Sequence, residues 1–331
     1  MGRAEFCVAT AECGYDRTYA KLPPHMKAPG AGIACIGAAH VDRIARCQEA
    51  FAWRASNPVT LTASSGGVAR NVALNLARLA RPAKLVSVLG GDRDGEALIA
   101  ELRSHRVDCQ HAAQLEGRAT ASYTALLDSA GELLCGLADA DIYEALTPEW
   151  LERVAPDLAD WPLWAIDANL SESGIGALAA QKADGVRLAA LAVSPAKAPR
   201  LKPHLASFDM LFANRAEAAA LLGQQVETLA EAEDAAVALR ALGPGLVFVT
   251  LGDAGVAVAA ARGCELYPAP VTDVVNVNGA GDGFAAGVLD ALLAAAPLTD
   301  AVRRGLAAAR LTAQSPDTCS AEISAARLDQ S

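Results

Sequence analysis

The chain has 331 residues, 53% of them hydrophobic but only 5% aromatic, so Ala, Leu and Val must supply most of the core. That length suits one large α/β domain or a domain with a small appendage. A formal net charge of −10 argues against nucleic acid as a bulk partner, because phosphate binding leans on clustered Lys and Arg. Arg, Asp or Lys interrupts every Ala/Leu-rich stretch, which argues against a membrane span. No basic segment leads into an apolar block and a small-residue cleavage site, so secretion is not indicated. The eight cysteines are scattered without a CxxC pair and read as small buried hydrophobes in a reducing cytoplasm.

In chain order, residues 1–30 mix charge, Pro and Gly (KLPPHMKAPGAG) without periodicity and read as a flexible leader. Order is expected from residue 31 to 331, beginning with a buried strand at Gly32-Ile33-Ala34-Cys35-Ile36-Gly37. Residues 71–80 place Val72, Leu76 and Leu79 on one helical face. Residues 84–89 then read as a strand and 96–104 as a helix. Further buried strands are expected at 163–166, 187–193, 210–213 and 246–250, each followed by a helix-forming stretch. This alternation predicts an α/β fold with a mainly parallel sheet covered on both faces.

Two stretches, about 43–64 and 108–137, have a different texture. Thr, Ala and Tyr dominate 118–128, and a turn at Ser129-Ala130-Gly131-Glu132 leads into 133–137, the pattern of a β-hairpin. Two such inserts predict a small β-sheet projecting as a lid. Its outer face is a candidate surface for a homodimer.

The chemistry concentrates in Val271 to Leu292, VTDVVNVNGAGDGFAAGVLDAL. Val274, Val275 and Val277 read as a strand running into Asn278-Gly279-Ala280-Gly281-Asp282, with an apolar helix starting near Gly283 or Phe284. Gly279 and Gly281 allow a turn whose amides converge on one point at the mouth of that helix. Unpaired amides and the positive dipole end would attract phosphate oxygens there. Asp282 reads either as an N-cap or as a base that orients a hydroxyl and takes its proton. The helix N-terminus would lower its pKa and make it a weak base, acting mainly by orientation.

The run VNVNGAGDGFAAGVL is similar to the C-terminal signature of PfkB/ribokinase-type kinases, written D-T-x-G-A-G-D before a small-residue helix. Ser65-Gly66-Gly67-Val68-Ala69-Arg70-Asn71 resembles the family's Gly-Gly…Asn stretch. The family resemblance covers about residues 33–327. It implies a ribokinase-like three-layer α/β/α fold, ATP and Mg²⁺, and phosphorylation of an alcohol, with Asp282 as base and Gly279, Ala280 and Gly281 as anion hole. It implies that Asp42, Gly66, Gly67 and Asn71 hold a ribose. It further implies that Asn214 and Glu217, as an N-x-x-E motif, place Mg²⁺ through water and hold the phosphates. Thr250, Gly252 and Gly255 would lie over the nucleotide.

Details in SGGVARNVALNLARL, in Asp167-Ala168-Asn169, in Val193-Ser194-Pro195-Ala196-Lys197 and in Ser56-Asn57-Pro58 resemble the pseudouridine-kinase branch of the family. That resemblance implies 5′-phosphorylation of pseudouridine, with Asn169 and Lys197 on the substrate side, although Lys197 also reads as a solvated surface charge. Other nucleosides, ribose or fructose remain alternative acceptors, and a non-catalytic nucleoside binder is the rival outside the enzymes. His40 stands where Asn is common in the family. Asn276 stands where many relatives have an Asp that helps bind a monovalent cation, which leaves potassium activation open. A nicotinamide-dependent fold is excluded because Ile36-Gly37-Ala38-Ala39-His40 lacks G-x-G-x-x-G, and Walker-type kinases because the chain has no Gly-Lys dipeptide.

Overall fold

Strands covered on both faces are mostly apolar, and the central strands here are, with Lys84, Ser87 and Asp167 as their buried polar exceptions. β1 (Ile33–Ile36) and β4 (Ala83–Gly90) are buried at every position, as is β8 (Leu163–Asp167). The computed structural model describes residues 31–330, so the leader expected at 1–30 lies outside the described residues. With β5 (Asp108–Leu115), β9 (Arg187–Leu191), β10 (Met210–Asn214), β11 (Leu246–Thr250), β12 (Val256–Ala260) and β13 (Gly263–Tyr267), these strands form one nine-stranded sheet. Its order is β13-β12-β11-β10-β9-β8-β1-β4-β5. Every pairing from β5 to β11 is parallel, and the β12–β13 hairpin adds an antiparallel edge.

Helices cover both faces, giving the three-layer α/β/α architecture expected from the sequence. On one side lie α1 (Val68–Arg78), α7 (Ala280–Leu293) and α8 (Leu298–Ala313). There Phe212 and Phe248 stack at 4.6 Å, and Phe284 meets both rings edge-on at 6.1 and 5.9 Å. Phe284 is 2% exposed, and burying such a ring contributes roughly 1.5–3 kcal/mol. That anchor sits two residues beyond Asp282, so it fixes the start of α7 against the sheet. The opposite face is covered by α4 (Glu172–Gln181), α5 (Arg215–Leu222) and α6 (Leu229–Ala241). The remaining helices are α2 (Arg93–Ser104), α3 (Pro148–Val154) and α9 (Ala325–Asp329).

A second, four-stranded sheet has the order β3-β2-β6-β7, built from β2 (His40–Cys47), β3 (Val59–Gly66), β6 (Ser122–Leu127) and β7 (Leu133–Asp139). Two sequence expectations change here. Residues 108–115, grouped with this small sheet, instead pair with β4 in parallel at the edge of the main sheet. A helix, α2, connects β4 to β5, which makes the unit a β-α-β crossover rather than a hairpin. Residues 271–277, expected as a strand, have no ladder partner. Val271 is fully exposed and Val274, Val275 and Val277 mostly so, and the amides of Val275 and Asn276 both reach the Ala313 carbonyl. β-branched content suggested a strand, but a strand needs a neighbour, and no described strand pairs with this segment.

Candidate active site

Parallel strands direct their carboxyl ends to one edge of the sheet, and ligands of such folds bind outside that edge. The candidate residues collect there. β8 ends in Asp167, β10 in Asn214 and β11 in Thr250, with Asn214 and Thr250 directly in register. Above this edge the small sheet carries Asp42 on β2, and from the far side α7 brings Asp282.

α7 begins at Ala280, three residues earlier than the sequence suggested, with Gly279 as its N-cap in the left-handed region at φ 79°. A side chain there would be strained and would also overlap the Thr318 carbonyl, so Gly279 is needed twice over. The Ala280 amide bonds the Val277 carbonyl at 3.3 Å and is therefore partly spent. The amides of Gly281 and Asp282 have no acceptor among the described residues, and space beside Gly281 is open. The amides without an acceptor thus lie at Gly281 and Asp282, on the first turn of the helix, one residue along from the Gly279–Gly281 run expected from the sequence.

Asp282 is enclosed by protein on most sides yet keeps an opening to solvent. Asn71 Nδ2 donates to its Oδ2 at 2.8 Å, the one donor to this carboxyl among the described residues. Burial pushes the carboxyl up to about 7. The Asn71 bond and the Arg70 charge pull it down, and Asp167 and Glu217 push it further up. The expectation of a weak base is therefore corrected: loss of water outweighs the helix N-terminus. A carboxyl near neutrality is well placed to accept a proton from an alcohol.

Asp42 pairs with His40 Nε2 at 3.2 Å, and Tyr143, whose hydroxyl donates to the Ala39 carbonyl, lies 3.4 Å from the other ring nitrogen. A Cβ on Gly66 would overlap the Asp42 carboxylate, so Gly66 lets the chain pass close beside Asp42, while Gly67 at φ 101° lets it pass against the backbone of Ala38. Asn71 is 4% exposed and its amide is divided between Asp282 and Arg70, whose NH1 donates to Asn71 Oδ1 at 2.9 Å. One N–H of its amide is used by Asp282 and one lone pair of its oxygen by Arg70, which fixes the orientation of the amide.

Lys197 is not the solvated charge considered from the sequence. It is half-buried and donates to Asn169 Oδ1, and burial lowers its pKa, with Asp167 opposing and Arg200 adding to that effect. Asn169 and Lys197 thus sit together at the ends of β8 and β9. Behind them lies Asp167, fully buried, a residue to which sequence reading assigned no role. Its carboxylate accepts the amides of Ala38 at 2.8 Å, Asn169 at 2.8 Å and Ala69 at 3.1 Å. It thereby knots the end of β1, the end of β8 and the start of α1. Burial raises its pKa, and three backbone bonds oppose that.

Asn214 and Glu217 form a reciprocal capping box at the start of α5. The Asn214 amide meets Glu217 Oε2 at 2.8 Å, and the Glu217 amide meets Asn214 Oδ1 at 2.9 Å. Glu217 is 6% exposed, and burial raises its pKa. No group of three or more His, Cys, Asp or Glu that could cage a metal occurs among the described residues. A magnesium ion here would have to be held largely by phosphate oxygens and water, the usual arrangement for that ion, and the neighbouring carboxyls of Asp282 and Glu217 suit a hard cation. Thr250 is half-buried at the end of β11. Gly252 at φ 65° and Gly255 at φ 108° shape the turn beyond it, where a Cβ on Gly255 would overlap the Tyr267 carbonyl.

Residues 31–325 match the pfkB family of carbohydrate kinases, and the chain belongs to that family. It is accordingly a phosphotransferase acting on an alcohol group of a sugar or nucleoside. The pseudouridine kinase of Escherichia coli (strain K12) is 30% identical over 272 residues, spanning 82% of this chain and 87% of that protein. A carbohydrate kinase from Agrobacterium tumefaciens superposes with a TM-score of 0.77 at 34% identity, over 90% of this chain and 96% of that one. The Arabidopsis thaliana ribokinase solved with ribose and ATP superposes at 0.78 and 20% identity, over 91% of this chain and 98% of that one, a likeness of fold. The ribokinase-like fold read from the sequence is thus the observed one.

Proposed function

We propose that the protein transfers the γ-phosphoryl group of ATP to the 5′-hydroxyl of pseudouridine. One observation carries the chemistry. Asp282 keeps one oxygen bonded by Asn71 and the other free of protein donors, directly beside the unpaired first-turn amides of α7. In this reading the nucleoside lies under the small sheet with its ribose against Asp42, Gly66 and Gly67, and with Asn169 and Lys197 on the base side. The free oxygen of Asp282 orients the 5′-hydroxyl and takes its proton. A bond forms between the nucleoside 5′-oxygen and the γ-phosphorus, and the bond from the γ-phosphorus to the β–γ bridging oxygen breaks, that oxygen leaving with ADP. The amides of Gly281 and Asp282 hold the negative oxygens as charge redistributes, a contribution typically of about 10²- to 10³-fold per donor. Magnesium, placed through water near Asn214 and Glu217, would neutralise phosphate charge. Thr250, Gly252 and Gly255 line the nucleotide.

Pseudouridine as acceptor is supported by the 30% identity to the E. coli pseudouridine kinase. Initial rates with pseudouridine, uridine, adenosine, ribose and fructose, each with ATP-Mg²⁺, test it. The expected outcome is fastest turnover of pseudouridine. Preference for a free sugar would overturn the substrate and leave the kinase, whereas binding without product would overturn the kinase.

Potassium is read as dispensable. Asn276 Nδ2 donates to the Pro316 carbonyl at 3.0 Å, so a neutral amide joins two loops where a carboxylate and a cation would otherwise meet. A homodimer through the small sheet is supported by Leu61 and Leu137, each about 60% exposed. Their register with Ala45 and Arg43 puts them on the sheet face opposite Asp42. A reducing cytoplasm is supported by six free cysteines among the described residues. No helix among the described residues is long and apolar enough to cross a membrane.

A further inference from the structure

Behind the cleft floor, four side chains form a line of hydrogen bonds whose direction is set by donor chemistry. Arg70 is 2% exposed, and a guanidinium can only donate. Its NH2 donates to Glu101 Oε2 at 2.6 Å, an oxygen that also accepts Ser65 Oγ at 2.7 Å. Its NH1 donates to Asn71 Oδ1 at 2.9 Å. With its oxygen claimed by a pure donor, the Asn71 amide must turn its nitrogen to Asp282. The flipped amide would set donor against donor at Arg70 and acceptor against carboxylate at Asp282, leaving buried groups unsatisfied at both ends.

We propose that Arg70 is a positioning residue that, through Asn71, decides which oxygen of Asp282 the protein holds and which it leaves to the cleft. The assignment rests on Asp282 being the proton acceptor of the phosphotransfer above. Arg70 touches none of the reacting atoms. Asp282 is faced by Arg70 from α1, by Asp167 from the end of β8 and by Glu217 from α5, with Cys319 beside it from the segment after α8. Arg70 is the one cation in that group, so it also offsets the two neighbouring carboxylates. Glu101 balances the guanidinium. Burial tends to raise the Glu101 carboxyl, but the Arg70 charge and the bonds from Ser65 and Arg70 leave it below the ordinary range.

The test reads Asp282 directly, by titrating ¹³C-carboxyl-labelled aspartates in the ligand-free protein, the resonance being assigned with Asp282→Asn. Arg70→Met should move the Asp282 midpoint to higher pH, because a cation is lost. Arg70→Lys, which keeps the charge, should bring it back toward wild type. Glu101→Gln should move it the other way, to lower pH, since Arg70 is then unbalanced. Breaking one ion pair from its two ends thus gives opposite shifts, which general loosening of the fold would not do. In parallel, Arg70→Met should lower kcat about 10- to 100-fold with the nucleoside KM changed less than about 3-fold. An unmoved midpoint in Arg70→Met, or shifts of the same sign from both ends, overturns the assignment. If Arg70→Met does not fold, an unmoved midpoint in Glu101→Gln does so. The titration needs no turnover, so wild-type protein inactive on every acceptor sinks the kinase reading while the Arg70 assignment is still decided.

Discussion

Asn71 on the first helix of the main body donates to Asp282 on α7 across 211 residues of sequence, at 2.8 Å. The bond joins the glycine-rich motif at Ser65–Asn71 to the motif at Gly279–Asp282. One motif carries the carboxylate, and the other holds it at a fixed angle.

Replacing Asp282 by Asn removes the proton acceptor while preserving size. Turnover should fall by about 10²- to 10⁴-fold, with nucleoside and nucleotide Kd changed little by calorimetry. In the wild type, kcat/KM should rise with pH through about 7 and level off above it, because the ionised carboxylate is the active form and its pKa is raised to that value. A profile flat from pH 5 to 9 would remove Asp282 from the proton transfer.

The same carboxyl predicts a stability effect. Its folded pKa of about 7 lies above its ordinary value of 3.8, so the folded state binds the proton more tightly than the unfolded state. The stability this contributes is fully present below about pH 4 and is lost as pH rises through 7. Ligand-free Asp282→Asn should therefore be more stable than wild type at pH 8, by about 1–2 kcal/mol after allowing for the carboxyl's opening to solvent. Urea unfolding at pH 5 and 8 checks this, and the gap should shrink at the lower pH.

Two glycines of one motif should behave oppositely. Gly279→Ala puts a side chain at φ 79° and against the Thr318 carbonyl, and should cost roughly 2–3 kcal/mol of stability. Gly281→Ala meets no protein atom within 4 Å. It should melt within about 0.5 kcal/mol of wild type, yet lose activity, because the added methyl enters the space where phosphate oxygens would sit.

Asn276 bridges its loop to the Pro316 carbonyl through its neutral amide. Initial rates should differ less than about 2-fold between potassium and sodium chloride at equal ionic strength. Asn276→Asp should gain a preference for one cation, because it places a charged oxygen beside the Pro316 carbonyl.

Leu61 and Leu137 offer an apolar face that water covers unless another surface does. Sedimentation should give a dimer for the wild type and a monomer for the Leu61→Glu, Leu137→Glu double variant, with the melting temperature nearly unchanged. A wild-type monomer would remove this surface from the proposal.

Much of this was readable in residues alone. The alternation of apolar runs and helical stretches predicted the parallel sheet, because a strand with both faces covered is mostly apolar. Glycines ahead of Asp282 announced an anion-binding helix mouth, because few other residues permit that turn. Where sequence reading failed, the deciding partner lay far along the chain. β5 resembled a hairpin strand until α2 carried it back beside β4. Val274–Val277 had strand composition but no neighbour to pair with. The bond from Asn71 to Asp282 was not legible because its partner lies 211 residues away.

Sequence by itself determined the class of chemistry, since turn geometry, helix start and the type of acid are local properties of a few adjacent residues. Tertiary structure alone decided how basic Asp282 is and which of its oxygens is free. Those depend on water excluded by packing and on the summed charges of Arg70, Asp167 and Glu217, which reach the site from three separate elements.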